Sequence, residues 1–252
     1  MEFDLAEAYL VNSKNLRFFK KNKKAHQTHY REDIKNLTKF AYLSFHNLKK
    51  IPLPGVKAEM LMEKKLADVI MSRSSRREYS KRPMTMDELS ALLFYSAGAR
   101  QIDPVRKRNV PSGGNLNSVD LFFFSNNIAG LDGGFYFYDF MDHSVVQIKN
   151  EDFKQKLCDD ILYQPELAEC SMFIIFVSNY ERLNYKYGKR ALRITHIDCG
   201  ILSENVHLVA EAMDLSCCSC GGVIESPIEE LLDINGIDNF VVLGQAVGPN
   251  ND

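Results

Sequence analysis

The sequence predicts an α+β domain in which a mainly antiparallel, mixed sheet is flanked by helices. Three observations predict it. Short β-prone runs, Val119 to Phe124, Phe135 to Tyr138 and Val145 to Ile148, follow one another with turn residues such as Gly133-Gly134 between them. Apolar residues recur at helical spacing over 86–97 and again from about Lys189 to Met213. No repeat or low-complexity linker divides the 252 residues, so one layered domain accounts for most of the chain.

In chain order, residues 1–57 mix charges and aromatics without clean periodicity and end in Ile51-Pro-Leu-Pro-Gly55, whose prolines favour extended backbone. They read as an N-terminal helical and extended arm, followed by the main domain over 58–252. Met60, Leu61, Leu66, Val69 and Ile70 approximate a helical face from Ala58 to about Ser72. Thr85 followed by Glu88 is a capping box, so a helix is expected from Met86 to Ala97 with Gly98 as its stop. Arg100 to Asn109 is polar and holds Pro104, which reads as a loop. Glu151 to Tyr163 suits a helix, and the continuous apolar run Met172 to Val177 suits a fully buried strand. After the long helix come a strand at Ser216–Cys220, a helix at Pro227–Leu232 and a strand at Phe240–Leu243, an alternation that allows some parallel pairing.

Composition narrows the functions. Hydrophobic residues make up 45% and charged residues 25%, enough for a sizeable core, while a net charge of -2 gives no electrostatic case for nucleic acid or an anionic membrane. No window approaches eighteen apolar residues and Met1-Glu-Phe-Asp-Leu lacks a cationic targeting segment, so a cytoplasmic protein is expected. The six cysteines sit in apolar surroundings, as reduced buried thiols do. Cys217, Cys218 and Cys220 lack the second ligand pair of a zinc site, and no metal is expected.

Three segments carry the residue types of a reactive site. If Tyr185 to Arg193 opens the long helix, Lys186, Arg190 and Arg193 form one stripe with Tyr187 beside it. Such a stripe is either a solvated face or, if crowded and desolvated, a lysine with lowered pKa that accepts protons near neutral pH. Arg73, Ser74, Ser75 and Arg77 offer two fixed cations and two hydroxyls, which suits a phosphate dianion or a solvated helix end. In Ser112-Gly-Gly-Asn115 the glycines let backbone approach a ligand and Asn115 offers both donor and acceptor to a planar heterocycle; an ordinary turn has the same composition. Neither Gly-Gly segment matches G-x-G-x-x-G or a P-loop, which argues against a Rossmann dinucleotide site or an NTPase.

The order of these segments resembles the FMN-dependent nitroreductase superfamily: Arg-x-Ser-x-Arg-x-aromatic, a Leu-rich helix ending in Gly, Pro-Ser-Gly-Gly-Asn, then a Gly-Phe-Tyr-x-Tyr strand. Within it, Lys186-Tyr187-x-x-Arg190-x-x-Arg193, Asp198-x-Gly200 and Asn205-Val-x-Leu208 are similar to the SagB-type dehydrogenases, as are Tyr9-x-x-Asn-Ser-Lys14 and Ile51-Pro-Leu-Pro54. The resemblance implies a homodimer with FMN between subunits. Arg73, Ser74, Ser75 and Arg77 would hold the phosphate and ribityl chain, and Pro111, Ser112, Gly113, Gly114 and Asn115 would border the flavin. Gly221 or Gly222 would place a backbone N–H near flavin N5, with Lys186 and Tyr187 as the catalytic pair. It further implies oxidation of thiazoline or oxazoline rings in a ribosomally made peptide supplied by a cyclodehydratase partner. An NAD(P)H-dependent nitro- or quinone-reductase and a non-catalytic flavin-binding subunit are the alternatives on the same fold. One departure stands out: many nitroreductases end with cations at the FMN phosphate, whereas Gly244 to Asp252 holds none, so Arg73, Arg77 and Arg106 or Arg108 are expected to supply that charge.

Overall fold

Val119–Ser125 and Met172–Asn179 are mostly apolar and buried at almost every position, as a strand is where both its faces are covered. They form the centre of a seven-stranded sheet. The computed structural model describes residues 5–14, 41–102 and 105–251. Its strands are β1 (Lys50–Pro52), β2 (Ala99–Ile102), β3 (Val105–Arg108), β4 (Val119–Ser125), β5 (Gly134–Asp139), β6 (Ser144–Lys149), β7 (Met172–Asn179), β8 (Leu215–Cys220) and β9 (Asn239–Pro249). The sheet order is β1-β6-β5-β4-β7-β9-β8, and β2 with β3 makes a separate two-stranded ribbon. Every neighbouring pair in the sheet is antiparallel. The parallel pairing allowed by the C-terminal alternation does not occur, because β9 enters between β7 and β8 and runs antiparallel to both.

The helices are α1 (Leu5–Asn12), α2 (Leu66–Ser72), α3 (Met86–Ala97), α4 (Tyr180–Tyr187), α5 (Ala191–Ala212) and α6 (Ser226–Leu232). One face of the sheet, with Phe123, Tyr136 and Ile174, packs on Leu92 of α3 and on Leu202 and Val206 of α5. The other, with Phe124, Phe135 and Phe173, is closed by Leu157 and by Ile228 of α6. Each such fully buried side chain contributes roughly 1.5–3 kcal/mol relative to exposure, so this double layer carries the fold. The capping box forms as predicted: the Glu88 N–H donates to the Thr85 hydroxyl at 3.1 Å and the Thr85 N–H to the Glu88 carboxylate at 2.7 Å. Gly98 ends α3 because a Cβ there would lie 2.5 Å from the Phe94 carbonyl.

Four local expectations are corrected. The polar stretch 100–109 is not a loop but the β2–β3 ribbon, whose Asp103 and Pro104 lie outside the described residues. The helix expected over 58–72 breaks after Glu59–Met62 and resumes as α2, where only Val69 is buried while Leu66, Ile70 and Met71 face outward. The helix expected over 151–163 is a short turn at Lys154–Lys156 that widens into a π-type turn at Leu157–Ile161. The fourth, at Gly188, belongs to the site. The Pro54 carbonyl accepts from Ser90 at 2.6 Å, and the Ser90 hydroxyl also meets His143 Nε2 at 2.8 Å, which anchors the end of the arm on α3.

Candidate active site

The stretch from Tyr185 to Arg193 does not open the long helix as expected. Gly188, at φ +54°, ends α4 and a single 3-10 turn at Gly188–Arg190 leads into α5. Lys186 and Tyr187 therefore close one helix while Arg193 lies in the next, and the three-cation stripe does not exist. Arg190 and Arg193 cap the end of α1 instead. Arg190 donates to the Ser13 carbonyl at 3.1 Å, and Arg193 donates to the Ser13 hydroxyl at 3.2 Å and the Leu10 carbonyl at 3.4 Å. Cations at a helix C-terminus meet both its orphan carbonyls and its dipole. The Lys186 pKa is lowered, and burial rather than arginine crowding is the cause.

Lys186 and Tyr187 point into the Ser112–Asn115 turn. A Cβ on Gly114 would lie 2.7 Å from both the Lys186 Nζ and the Tyr187 hydroxyl, and Gly114 itself sits at φ +63°, so only glycine suits the position on two counts. The amine lies 5.3 Å from the Tyr187 ring centroid and makes no ion pair among the described residues. The Tyr187 pKa moves the opposite way, raised by burial and by the charge of Asp198. Amine and phenol are thus both biased toward their neutral forms.

Asp198, in the second turn of α5, fixes this corner. Its carboxylate accepts the Gly113 N–H at 2.9 and 3.1 Å and the Ser118 hydroxyl at 2.7 Å. Burial raises its pKa, and Ser118, Gly113 and Arg108 pull it back down. Ser112 Oγ accepts the Asn117 N–H at 3.0 Å, which leaves Pro111 and Asn115 on the outside of the turn. Behind it, Arg182 donates to the Asn117 carbonyl at 2.6 Å and pairs with the buried Asp120 at 2.9 Å. The sequence reading assigned no role to Asp198, Ser118 or Asp120. Their signal was a carboxylate or hydroxyl amid apolar neighbours, which buried polar groups need partners to tolerate.

Arg108 is not available to a phosphate. It donates to the Ala97 carbonyl at 2.9 Å and the Val119 carbonyl at 3.0 Å, and its guanidinium lies 4.6 Å from the Phe140 ring centroid. Burial lowers its pKa to about 10. The Arg106 side chain lies outside the described residues.

The second group of predicted residues lies along β8, the last strand of the sheet. The extended segment after α2 is tied there by the Arg76 N–H, which donates to the Cys217 carbonyl at 3.0 Å, and by the Arg76 guanidinium, which grips Glu211 of α5 at 2.9 and 3.2 Å. Arg76, missed in the sequence, is the anchor. Arg73 and Arg77 on either side form no hydrogen bond or ion pair through their guanidinium groups among the described residues, and Ser74 and Ser75 are exposed. Beyond β8, a Cβ on Gly221 would meet nothing within 4 Å, whereas Gly222 is covered by the exposed ring of Tyr163 and accepts its N–H at 3.1 Å. The Gly222 N–H turns to the Cys220 sulfur. Open approach to backbone therefore belongs to Gly221. No hydrogen bond links the β8 group to the Gly114 corner among the described residues.

Residues 70–249 match the nitroreductase family. The chain belongs to that family. A Methanocaldococcus jannaschii protein named for the nitroreductases is 33% identical over 185 residues, covering 73% of this chain and 90% of its own. Among solved structures, a nitroreductase-named protein from Anabaena variabilis superposes with a TM-score of 0.70 at 24% identity over 83% of this chain; that match spans only 43% of the Anabaena chain. A chain of the E. coli microcin synthetase McbBCD complex with truncated pro-MccB17 bound superposes with a TM-score of 0.60 at 17% identity, over 100% of this chain and 99% of its own. These likenesses establish a nitroreductase-family oxidoreductase fold.

Proposed function

We propose that this protein is an FMN-dependent dehydrogenase that oxidises thiazoline or oxazoline rings of a ribosomally made peptide to thiazole or oxazole. The convergence of Lys186 and Tyr187 on Gly114 is the observation that carries the reading. The residues fit FMN: among the described residues Arg73 and Arg77 keep two guanidinium groups without protein partners, as a phosphate dianion requires, and Gly221 leaves backbone open to a flat ring. Bound there, FMN supplies the hydride acceptor for the ring oxidation. Aromatising an azoline also releases a proton, and that is the task of the protein. Lys186 is the base, because burial favours its neutral amine, while Tyr187, held as the phenol, hydrogen-bonds the substrate or takes the proton onward.

No hydrogen bond joins the two groups of residues among the described residues, and a second copy of the chain is the candidate that would complete the site. The outer face of α5 exposes Ile197 and Ile201 around the bare Gly200, beside Pro111, in a groove of about 570 Å³ that a symmetric partner helix would cover. The similar chain belongs to a microcin synthetase complex with truncated pro-MccB17 bound, which supports a cyclodehydratase as the partner that delivers substrate to this protein.

The test is conversion of an azoline peptide with loss of two hydrogens, read by mass spectrometry. Lys186→Ala should abolish it while retaining bound FMN; unchanged turnover would remove Lys186 from its role. The likeness to the M. jannaschii nitroreductase favours a second reading, an NAD(P)H-dependent nitro- or quinone-reductase. NAD(P)H consumption with a nitroaromatic and no azoline turnover would select it. A flavin that no substrate reduces would mark a non-catalytic subunit.

A further inference from the structure

The turn that Lys186 and Tyr187 face is held in a shape its residues do not favour. Gly114, Asn115 and Asn117 sit at φ +63°, +58° and +48°, and two left-handed asparagines so close together persist only where their surroundings over-determine them. Within the turn, Ser112 accepts the Asn115 N–H through its carbonyl and the Asn117 N–H through its hydroxyl, both at 3.0 Å. From the arm, the Ala41 carbonyl accepts from the Asn117 side-chain amide at 3.0 Å. The glycines are held from α5, where Asp198 takes the Gly113 N–H on both carboxylate oxygens. The fit there is close, since a Cβ on Gly113 would lie 2.5 Å from Ile194 of α5 and 3.2 Å from Leu183 of α4. The turn is thus wedged between the helix that carries the amine and the phenol and the helix that carries the carboxylate, two helices that Gly188 divides.

Asp198 is only 6% exposed, and its partners are that N–H and the hydroxyl of the fully buried Ser118 at 2.7 Å. Hydrogen bonds of this kind favour the charged carboxylate, which burial opposes. Arg108 also acts on the charge, but its guanidinium is spent on the Ala97 and Val119 carbonyls. A negative charge therefore stands behind the turn whose front touches the Lys186 amine and the Tyr187 hydroxyl, each 2.7 Å from the Cβ position of Gly114. Such a charge opposes ionisation of a phenol. The Tyr187 pKa is raised by burial first and by Asp198 second, whereas burial is the cause that lowers that of Lys186. One carboxylate is thereby in a position to set both where the pair sits and which member keeps its proton.

We propose that Asp198 is a positioning residue of the reaction: through Gly113 it fixes the surface on which Lys186 and Tyr187 meet, and its charge assigns the donor role to the phenol and the acceptor role to the amine. The inference rests on the azoline-dehydrogenase reading, and the experiment keeps the two apart. The holoprotein is compared as wild type and as Asp198→Asn, which keeps an oxygen for the Gly113 N–H and removes the charge. The variant should lose about tenfold or more in kcat for an azoline peptide, with KM and bound FMN within about twofold, as expected when what is lost acts on the chemical step. Without substrate, the ¹³Cζ signal of Tyr187 should titrate at lower pH in Asp198→Asn than in wild type, a change that a merely structural carboxylate would not cause. In wild type, the Gly113 amide proton should follow the Asp198 carboxyl through its titration, a readout that needs no variant to fold. Full kcat in Asp198→Asn, loss of bound FMN in step with turnover, an unmoved Tyr187 titration or a Gly113 signal indifferent to Asp198 would each overturn the role of Asp198, while wild-type turnover leaves the dehydrogenase reading intact. A wild type that oxidises no azoline peptide would overturn both together.

Discussion

The Asp198 corner and the Arg73–Arg77 segment are both tied to α5, one through Asp198 and the other through Glu211, and are held by opposite means. At the corner the carboxylates and the helix end are matched: Asp198 by Gly113 and Ser118, Asp120 by Arg182, and the α1 carbonyls by Arg190 and Arg193. Along the segment one arginine, Arg76, is matched to Glu211, while the Arg73 and Arg77 guanidinium groups are left open among the described residues. Satisfied networks fix geometry, and unsatisfied cations recruit a ligand. The first suits proton transfer, which fails when atoms are misplaced; the second suits binding of a charged cofactor.

Mutations that respect this division should separate the two effects. Lys186→Ala is expected to cost about 10²- to 10⁴-fold in azoline turnover, the usual contribution of a positioned base, with the flavin content per protein unchanged. Next in size, Asp120→Ala strands the Arg182 guanidinium in the interior and should destabilise the fold by about 3–5 kcal/mol, measured by denaturant unfolding, without a direct effect on flavin affinity in the protein that remains folded. Arg73→Ala or Arg77→Ala removes one charged contact, about 1.5–3 kcal/mol, and should weaken FMN binding by about 10- to 100-fold while leaving unfolding nearly untouched. Loss of stability instead would place these arginines with the matched set. The smallest effect concerns pH. Turnover should rise as Lys186 deprotonates and reach its plateau below the pH at which an ordinary lysine would, because burial lowers the folded-state pKa. A profile indifferent to Lys186→Arg would break the link between corner and chemistry.

Much of the fold was legible because its signals are local. The Thr85–Glu88 box, the aromatic run at Val119–Ser125 and the apolar run at Met172–Asn179 each state their own conformation. The β2–β3 ribbon was not legible, since four-residue strands rich in Arg, Lys and Gln show neither alternation nor an apolar run. Nor was the break at Gly188, because apolar and charged spacing continues through it and one glycine is tolerated in many helices. That break decides which of three basic residues reaches the turn. The candidate segments could be read from residue chemistry and family resemblance, but the roles of the groups that orient them could not: Asp198, Ser118 and Arg76 act through partners about 80 to 135 positions away, which spacing cannot reveal.

The insertion of β9 between β7 and β8 imposes an order of assembly. β8 precedes β9 in the chain, yet among the described residues its only sheet neighbour is β9, so β8 must wait for β9 to dock on β7 before its backbone amides find strand partners. Pulse-labelling by hydrogen exchange during refolding should find the β8 amides protected no earlier than those of β9. Until that moment Gly221 and the anchor point for Arg76 have no fixed position, and the cofactor site proposed along β8 is incomplete.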